Sequence, residues 1–181
     1  MEKTELRKQL KAMRNALSAE ERRGKAADIA EAFIRSYGRF SSFMAYSAIR
    51  SEVPTEGLIQ ALLDLGRQVF LPRVEGEDIV PVPYGELSAG AFGILEPAGK
   101  AADTAPDVCI VPLLGINREG YRIGYGKGFY DRYLRTHKCL AVGIGYACQI
   151  ADFAQDPWDE PLDAFISEDG ITVFRAGQNT K

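Results

Sequence analysis

Between Gly120 and Asp131 the chain places four glycines (Gly120, Gly124, Gly126 and Gly128), two cations (Arg122 and Lys127) and one carboxylate. Glycines let a backbone adopt φ > 0 and approach an anion closely, and the N–H groups that open a helix point at whatever anion sits there. The stretch, with Tyr125, Phe129 and Tyr130 inside it, reads as a phosphate cradle. It is not a Walker A loop, because Tyr121 stands five residues before Gly126 and Gly128, not Ser or Thr, follows Lys127. Nor is it a dinucleotide fingerprint, since the run from Gly124 ends on Phe129 where a third glycine belongs. With no hydroxyl after the lysine, a Mg²⁺ riding on the phosphates needs a carboxylate, and Asp131 is in place for that. Turns of this composition also occur without a ligand, Asp131 then simply complementing the helix dipole.

A second group is Glu52 with Tyr46. Both flank the end of the first expected strand, where a carboxylate can accept paired hydrogen bonds from an amino-pyrimidine edge such as a pterin presents. The alternative is that Glu52 merely complements the start of a helix at Pro54. Asp163 and Glu168 form a third candidate, near the two ends of a short strand; Asp163 could equally close the Pro157–Pro161 turn. The single His137 follows the loop helix on a polar stretch and reads as a solvated helix end.

These groups need a scaffold. The run Val108 to Val111 is unbroken apolar sequence, as in parallel strands covered on both faces. Phe129, Tyr130, Tyr133 and Leu134 follow at helical spacing. Further strands are expected at 43–49, 68–71, 79–82, 109–113, 140–145, 164–167 and 171–174. Helices are expected at 3–16, from a Ser18/Glu21 capping box to 37, and at 54–65 with Leu58, Leu62 and Leu65 inward. Alternation of strand and helix predicts a three-layer α/β/α fold, a mainly parallel doubly wound sheet with N-terminal helices, as one domain over 1–181. Ligands of such sheets bind beyond the carboxyl ends of the strands, where the glycine loop lies. Residues 74–106, rich in Pro and Gly, should form a small hairpin flap.

Charge is uneven. The formal net charge is −3, yet residues 1–39 hold ten Lys or Arg against six Asp or Glu. Lys3, Arg7, Lys11 and Arg14 form a basic ridge beside an apolar stripe of Leu6, Leu10, Met13 and Leu17. Most such ridges are solvated faces, and the acidic whole without interleaved aromatics argues against nucleic acid. No apolar run approaches membrane-spanning length and no signal-peptide core follows Met1. Three cysteines without C-x-x-C spacing indicate neither zinc nor a disulfide framework, so a reducing cytoplasm is expected.

The run Val111-Pro112-Leu113-Leu114-Gly115, followed by Gly120 to Arg132, closely resembles the signature of the 5-formyltetrahydrofolate cyclo-ligase family. Lys3-x-x-x-Arg7, Leu17 to Arg22, Glu52-Val53-Pro54-Thr55, Leu71-Pro72-Arg73, Gly93 to Pro97 and Glu160 to Asp163 extend the resemblance in family order. Lys127 and Phe129 stand where the commonest bacterial loop has Gly and Tyr. The resemblance implies ATP- and Mg²⁺-dependent closure of 5-formyltetrahydrofolate to 5,10-methenyltetrahydrofolate by a monomer or weak homodimer. By it, Lys3, Arg7 and the loop from Gly120 to Asp131 bind ATP, and Arg122 and Lys127 act on its phosphates. Tyr46, Glu52, Phe92, Phe129 and Tyr130 would receive the folate, and Asp131 and Asp163 the metal. Two other classes are a sugar-phosphate isomerase or CoA transferase-like enzyme, which would need a catalytic carboxylate and no nucleotide, and a non-catalytic nucleotide- or folate-binding module.

Overall fold

The computed structural model describes residues 2–175. The chain opens with α1 (Lys3–Asn15) and α2 (Ala19–Tyr37). The capping box forms as expected: the Ser18 side chain accepts from the Glu21 N–H, and Glu21 reaches back to the Ser18 N–H. Then follow β1 (Ser42–Met44), α3 (Glu56–Asp64), β2 (Gln68–Glu75), β3 (Asp78–Pro83), β4 (Leu87–Ala89), β5 (Leu95–Pro97), β6 (Val108–Val111), β7 (Gly115–Ile116), β8 (Arg122–Ile123), α4 (Phe129–Thr136), β9 (Leu140–Ile144), β10 (Ala164–Ser167) and β11 (Gly170–Val173).

Seven strands make one sheet in the order β11-β10-β9-β6-β1-β2-β3. The five inner strands are parallel, and the two edge strands β11 and β3 return antiparallel from short hairpins. Alternate residues face opposite layers. Phe43, Val108, Ile110 and Val142 pack under Ile29 and Phe33 of α2 and Leu58 and Leu62 of α3. Met44, Cys109, Val111 and Ala141 turn to the other face, under Tyr133 of α4 and the aromatic side chains at its start. The helix layers on both faces thus account for the unbroken apolar run of β6, and the doubly wound expectation holds.

Three local expectations change. Leu65 is solvent-exposed, because α3 ends at Asp64; the helix begins at Glu56 rather than at Pro54. Met13 is half exposed, whereas Leu6, Leu10 and Arg14 share the buried face of α1 at four-residue spacing. The strand-to-loop passage is interrupted by the β7/β8 hairpin, whose Ile123, with the adjoining Leu114, receives Leu6 and Leu10. The flap expected over residues 74–106 is the β4/β5 ribbon beside a longer β2/β3 hairpin. No helix among the described residues is long and apolar enough to cross a membrane.

Candidate active site

Chain order reverses between β1 and β6: β1 leads through α3 to β2 on one side, and β6 through α4 to β9 on the other. The segments beyond the carboxyl ends of these two strands must splay apart, which opens a crevice. A cavity of about 640 Å³ lies there, roofed by α1, the glycine loop and the flap. Tyr46, Glu52, Phe92, Lys3, Arg7, Arg122 and the loop from Gly124 to Asp131 all line it. Of the expected site residues, Gly120, Asp163 and Glu168 do not.

The loop takes the backbone its glycines permit. Gly126 at φ 90° and Gly128 at φ 72° are left-handed, and Gly128 caps α4. Gly120 is left-handed too, in the β7/β8 turn below the cavity, while Gly124 is not. Around this loop stand the cations. Arg7 donates from Nε to the Gly124 carbonyl at 3.0 Å. Arg122 is buried, donates from Nη2 to Asp131 Oδ2 at 3.2 Å, and lies 5.6 Å from the Tyr130 ring centre. Its Nε has no hydrogen-bond partner among the described residues. Lys127 is exposed, with Nζ 4.9 Å from the centre of the Phe92 ring, which itself leans on Phe129. Lys3 is paired with Asp156 and, at 3.2 Å, with Asp159. The basic ridge of α1 is therefore not a solvated face: all four of its cations line the cavity.

In the segment after β1, Glu52 is 6% exposed. Its Oε2 accepts the Ile49 N–H at 2.8 Å and its Oε1 accepts the Tyr125 hydroxyl at 2.7 Å. Neither contact is a helix-start contact, which removes the dipole explanation for this residue. Burial pushes its carboxyl above the ordinary carboxylate value, outweighing those two hydrogen bonds and the charge of Arg14. Tyr46 is buried behind it, its hydroxyl donating to the Val53 carbonyl at 3.1 Å. Both described non-glycine residues with positive φ, Arg50 and Phe92, also line this cavity.

Asp163 is elsewhere. Its Oδ2 accepts the Ala141 N–H at 2.8 Å near the amino end of β9, away from the carboxyl ends that open the cavity. Burial raises its carboxyl, and among the described residues Oδ1 meets Arg175 at 3.9 Å without a hydrogen bond. The expected Asp131/Asp163 metal pair is thus not assembled: a short connection before β10 turns Asp163 onto the sheet instead. Glu168 serves structure as well, bound to Lys25 and the Ala147 N–H. His137 ends α4, stacked on Tyr133 at the surface.

Sequence reasoning missed Arg14 as a site residue. It is 2% exposed, yet donates to Ser51 Oγ at 3.0 Å, to the Leu113 carbonyl at 3.3 Å and to the Tyr125 hydroxyl at 3.1 Å. Its place in register with Leu6 and Leu10 was the available signal: a cation on an apolar stripe is buried only where partners await it. Asp156, Asp159 and Trp158, also unassigned from sequence, line the cavity beside Lys3.

Comparison with known proteins agrees with this fold. The 5-formyltetrahydrofolate cyclo-ligase family model matches residues 1–168. A 5-formyltetrahydrofolate cyclo-ligase of Mycoplasma pneumoniae is 31% identical over 93% of this chain and 100% of its own. The NMR structure of Aquifex aeolicus 5,10-methenyltetrahydrofolate synthetase superposes with a TM-score of 0.87 at 34% identity, covering 98% of this chain and 95% of that one. A 5,10-methenyltetrahydrofolate synthetase structure from Mycoplasma pneumoniae gives 0.73 at 29% identity, covering 93% and 99%. These matches set aside the isomerase, CoA transferase and non-catalytic readings. With the family model spanning nearly its whole length, the chain belongs to the 5-formyltetrahydrofolate cyclo-ligase family and is a ligase of folate one-carbon metabolism.

Proposed function

We propose that this chain converts 5-formyltetrahydrofolate and ATP to 5,10-methenyltetrahydrofolate, ADP and phosphate, with Mg²⁺ on the nucleotide. The observation that carries the reading is that a cationic glycine loop and a buried carboxylate line one cavity, the loop following β6 and Glu52 following β1. The loop suits polyphosphate, the carboxylate the amino-pyrimidine edge of a pterin.

In this scheme the formyl oxygen attacks the γ-phosphorus and ADP departs, leaving a phosphorylated, electrophilic formyl carbon on N5. N10 then attacks that carbon, loses its proton, and phosphate leaves as the ring closes. No protein nucleophile is needed; the chain supplies orientation and charge. Glu52 and Tyr46 hold the pterin end, while Phe92, Phe129 and Tyr130 wall it. Loop N–H groups from Gly124 to Gly128, with Arg7, Arg122 and Lys127, neutralise the phosphates. Lys3 joins them by exchanging Asp156 and Asp159 for phosphate oxygen.

The residues present fit Mg²⁺. Such an ion keeps several waters and needs only one or two carboxylates beside the phosphates, and Asp131 presents one at the loop's end of the cavity. When bound there it would supply positive charge to the phosphoryl oxygens.

The test is direct. Purified protein should form the methenyl chromophore only with 5-formyltetrahydrofolate, ATP and Mg²⁺ together. Equal formation without nucleotide, or none in the full mixture, defeats the reading.

A further inference from the structure

Arg14 carries a buried positive charge, and no carboxylate among the described residues forms a direct ion pair with it. A cation in that position is costly unless its charge is balanced. The balancing carboxylate is Glu52, and the link is a single hydroxyl. Tyr125 accepts from Arg14 Nη2 at 3.1 Å and donates to Glu52 Oε1 at 2.7 Å. The tyrosine belongs to the glycine loop after β6, between Gly124 and Gly126, whereas Glu52 belongs to the segment between β1 and α3. Its ring is nearly half exposed, so packing alone does not fix it. What fixes it is the buried charge pair at its tip. Arg14 in turn is anchored on both sides of the crevice, by Ser51 after β1 and by the Leu113 carbonyl after β6.

We propose that Arg14 and Tyr125 are positioning residues that couple the two substrates, so that folate and nucleotide each bind more tightly in the presence of the other. The proposal rests on the reading of Glu52 as the folate carboxylate and of the loop as the nucleotide site. A carboxylate has about four lone-pair sites, and Glu52 uses one on each oxygen within the protein. The remaining two can meet a pterin edge while Tyr125 stays bonded. Folate bound there adds a further hold on Glu52, hence on Tyr125, and hence on the glycine loop that carries it. Nucleotide then meets a loop whose ordering cost is already met, and the reverse order gains equally, because coupling is reciprocal.

The experiment measures four affinities by calorimetry: 5-formyltetrahydrofolate alone and with a non-hydrolysable ATP analogue and Mg²⁺, and the analogue alone and with folate. In the parent, each ligand should tighten the other by the same factor, about fivefold or more. Tyr125→Phe keeps the ring and removes the hydroxyl, and its factor should fall below about twofold with each ligand still binding alone. Arg14→Lys keeps the charge but not the fork, and should lose coupling likewise. The double variant should lose no more than either single one, since the groups act as a unit. A parent factor of one, a negative coupling, a Tyr125→Phe factor equal to the parent's, or additive losses in the double variant would each overturn the proposal. A parent that binds neither ligand on its own or together would overturn the functional reading beneath it.

Discussion

Arg122 and Asp131 hold each other across the mouth of the loop helix, Nη2 to Oδ2 at 3.2 Å, with the Arg122 side chain only 6% exposed. The carboxylate proposed for the metal is therefore pre-oriented by the cation proposed for the phosphates. Asp131→Asn should raise the Mg²⁺ concentration for half-maximal activity about tenfold or more, roughly 1.4 kcal/mol, because a charged oxygen ligand is lost. Asp163→Asn, buried against β9, should give a Mg²⁺ titration that overlays the parent's. If Asp163→Asn shifts the curve as far as Asp131→Asn, the structural placement of the metal is wrong.

Glu52→Gln should weaken 5-formyltetrahydrofolate binding by roughly 1.5–3 kcal/mol, the worth of a charged hydrogen bond. The amide still accepts one bond, so binding should fall without vanishing. Affinity for the ATP analogue measured alone should stay within about threefold. Equal loss of both ligands would mean that Glu52 supports the fold rather than the folate.

The same variant has a pH signature in stability. Burial raises the folded-state carboxyl of Glu52, so the folded protein binds this proton more readily than the unfolded chain does. Its ionised form is a cost present above the folded pKa and relieved as pH falls through it. Glu52→Gln should then melt at or above the parent's temperature at neutral pH, and the difference should shrink toward acid pH. Folate affinity of the parent should weaken over that same acid range, with Arg14, Tyr125, Tyr46 and Tyr130 the charged and titratable groups facing the carboxyl. A melt of Glu52→Gln well below the parent's at neutral pH would contradict the buried-charge account.

Lys127→Ala should do the reverse of Glu52→Gln. Nζ is held loosely over the Phe92 ring and is exposed, so its removal leaves the fold intact. The analogue should bind more weakly, and kcat should fall as well where the charge helps chiefly in the transition state. Folate alone should bind as in the parent. Unchanged ATP kinetics would remove Lys127 from the phosphate site.

Local rules made much of this molecule legible. The Ser18/Glu21 box, the apolar β6 run and the glycine loop each carry their signal within a few residues, and each lies where expected. Other features depended on neighbours far away in sequence. Arg14 reads as one more cation on a ridge until the Leu113 carbonyl, Ser51 and Tyr125 are brought to it. The β7 and β8 strands have two residues each, too few for any periodicity to show. Asp163 was misplaced because the acceptor it supplies to the Ala141 N–H is a matter of sheet register. The expected residues that line the cavity are thus legible by type and spacing, whereas Arg14, buried beside them, is not.

Phe92 occupies the left-handed region at φ 58° and ψ 22°, next to a Gly93 that adopts the same sign without penalty. For a residue with a Cβ this costs roughly 1–2 kcal/mol. The flap therefore stores strain at its tip so that an aromatic ring stands in front of Phe129 and Lys127. Substitution by glycine or asparagine would relax the backbone and firm up the free protein while stripping the cavity of a wall. If Phe92 walls the folate as proposed, durability and turnover are opposed at this position, and a search for a hardier form that scores only melting temperature would select against the catalyst.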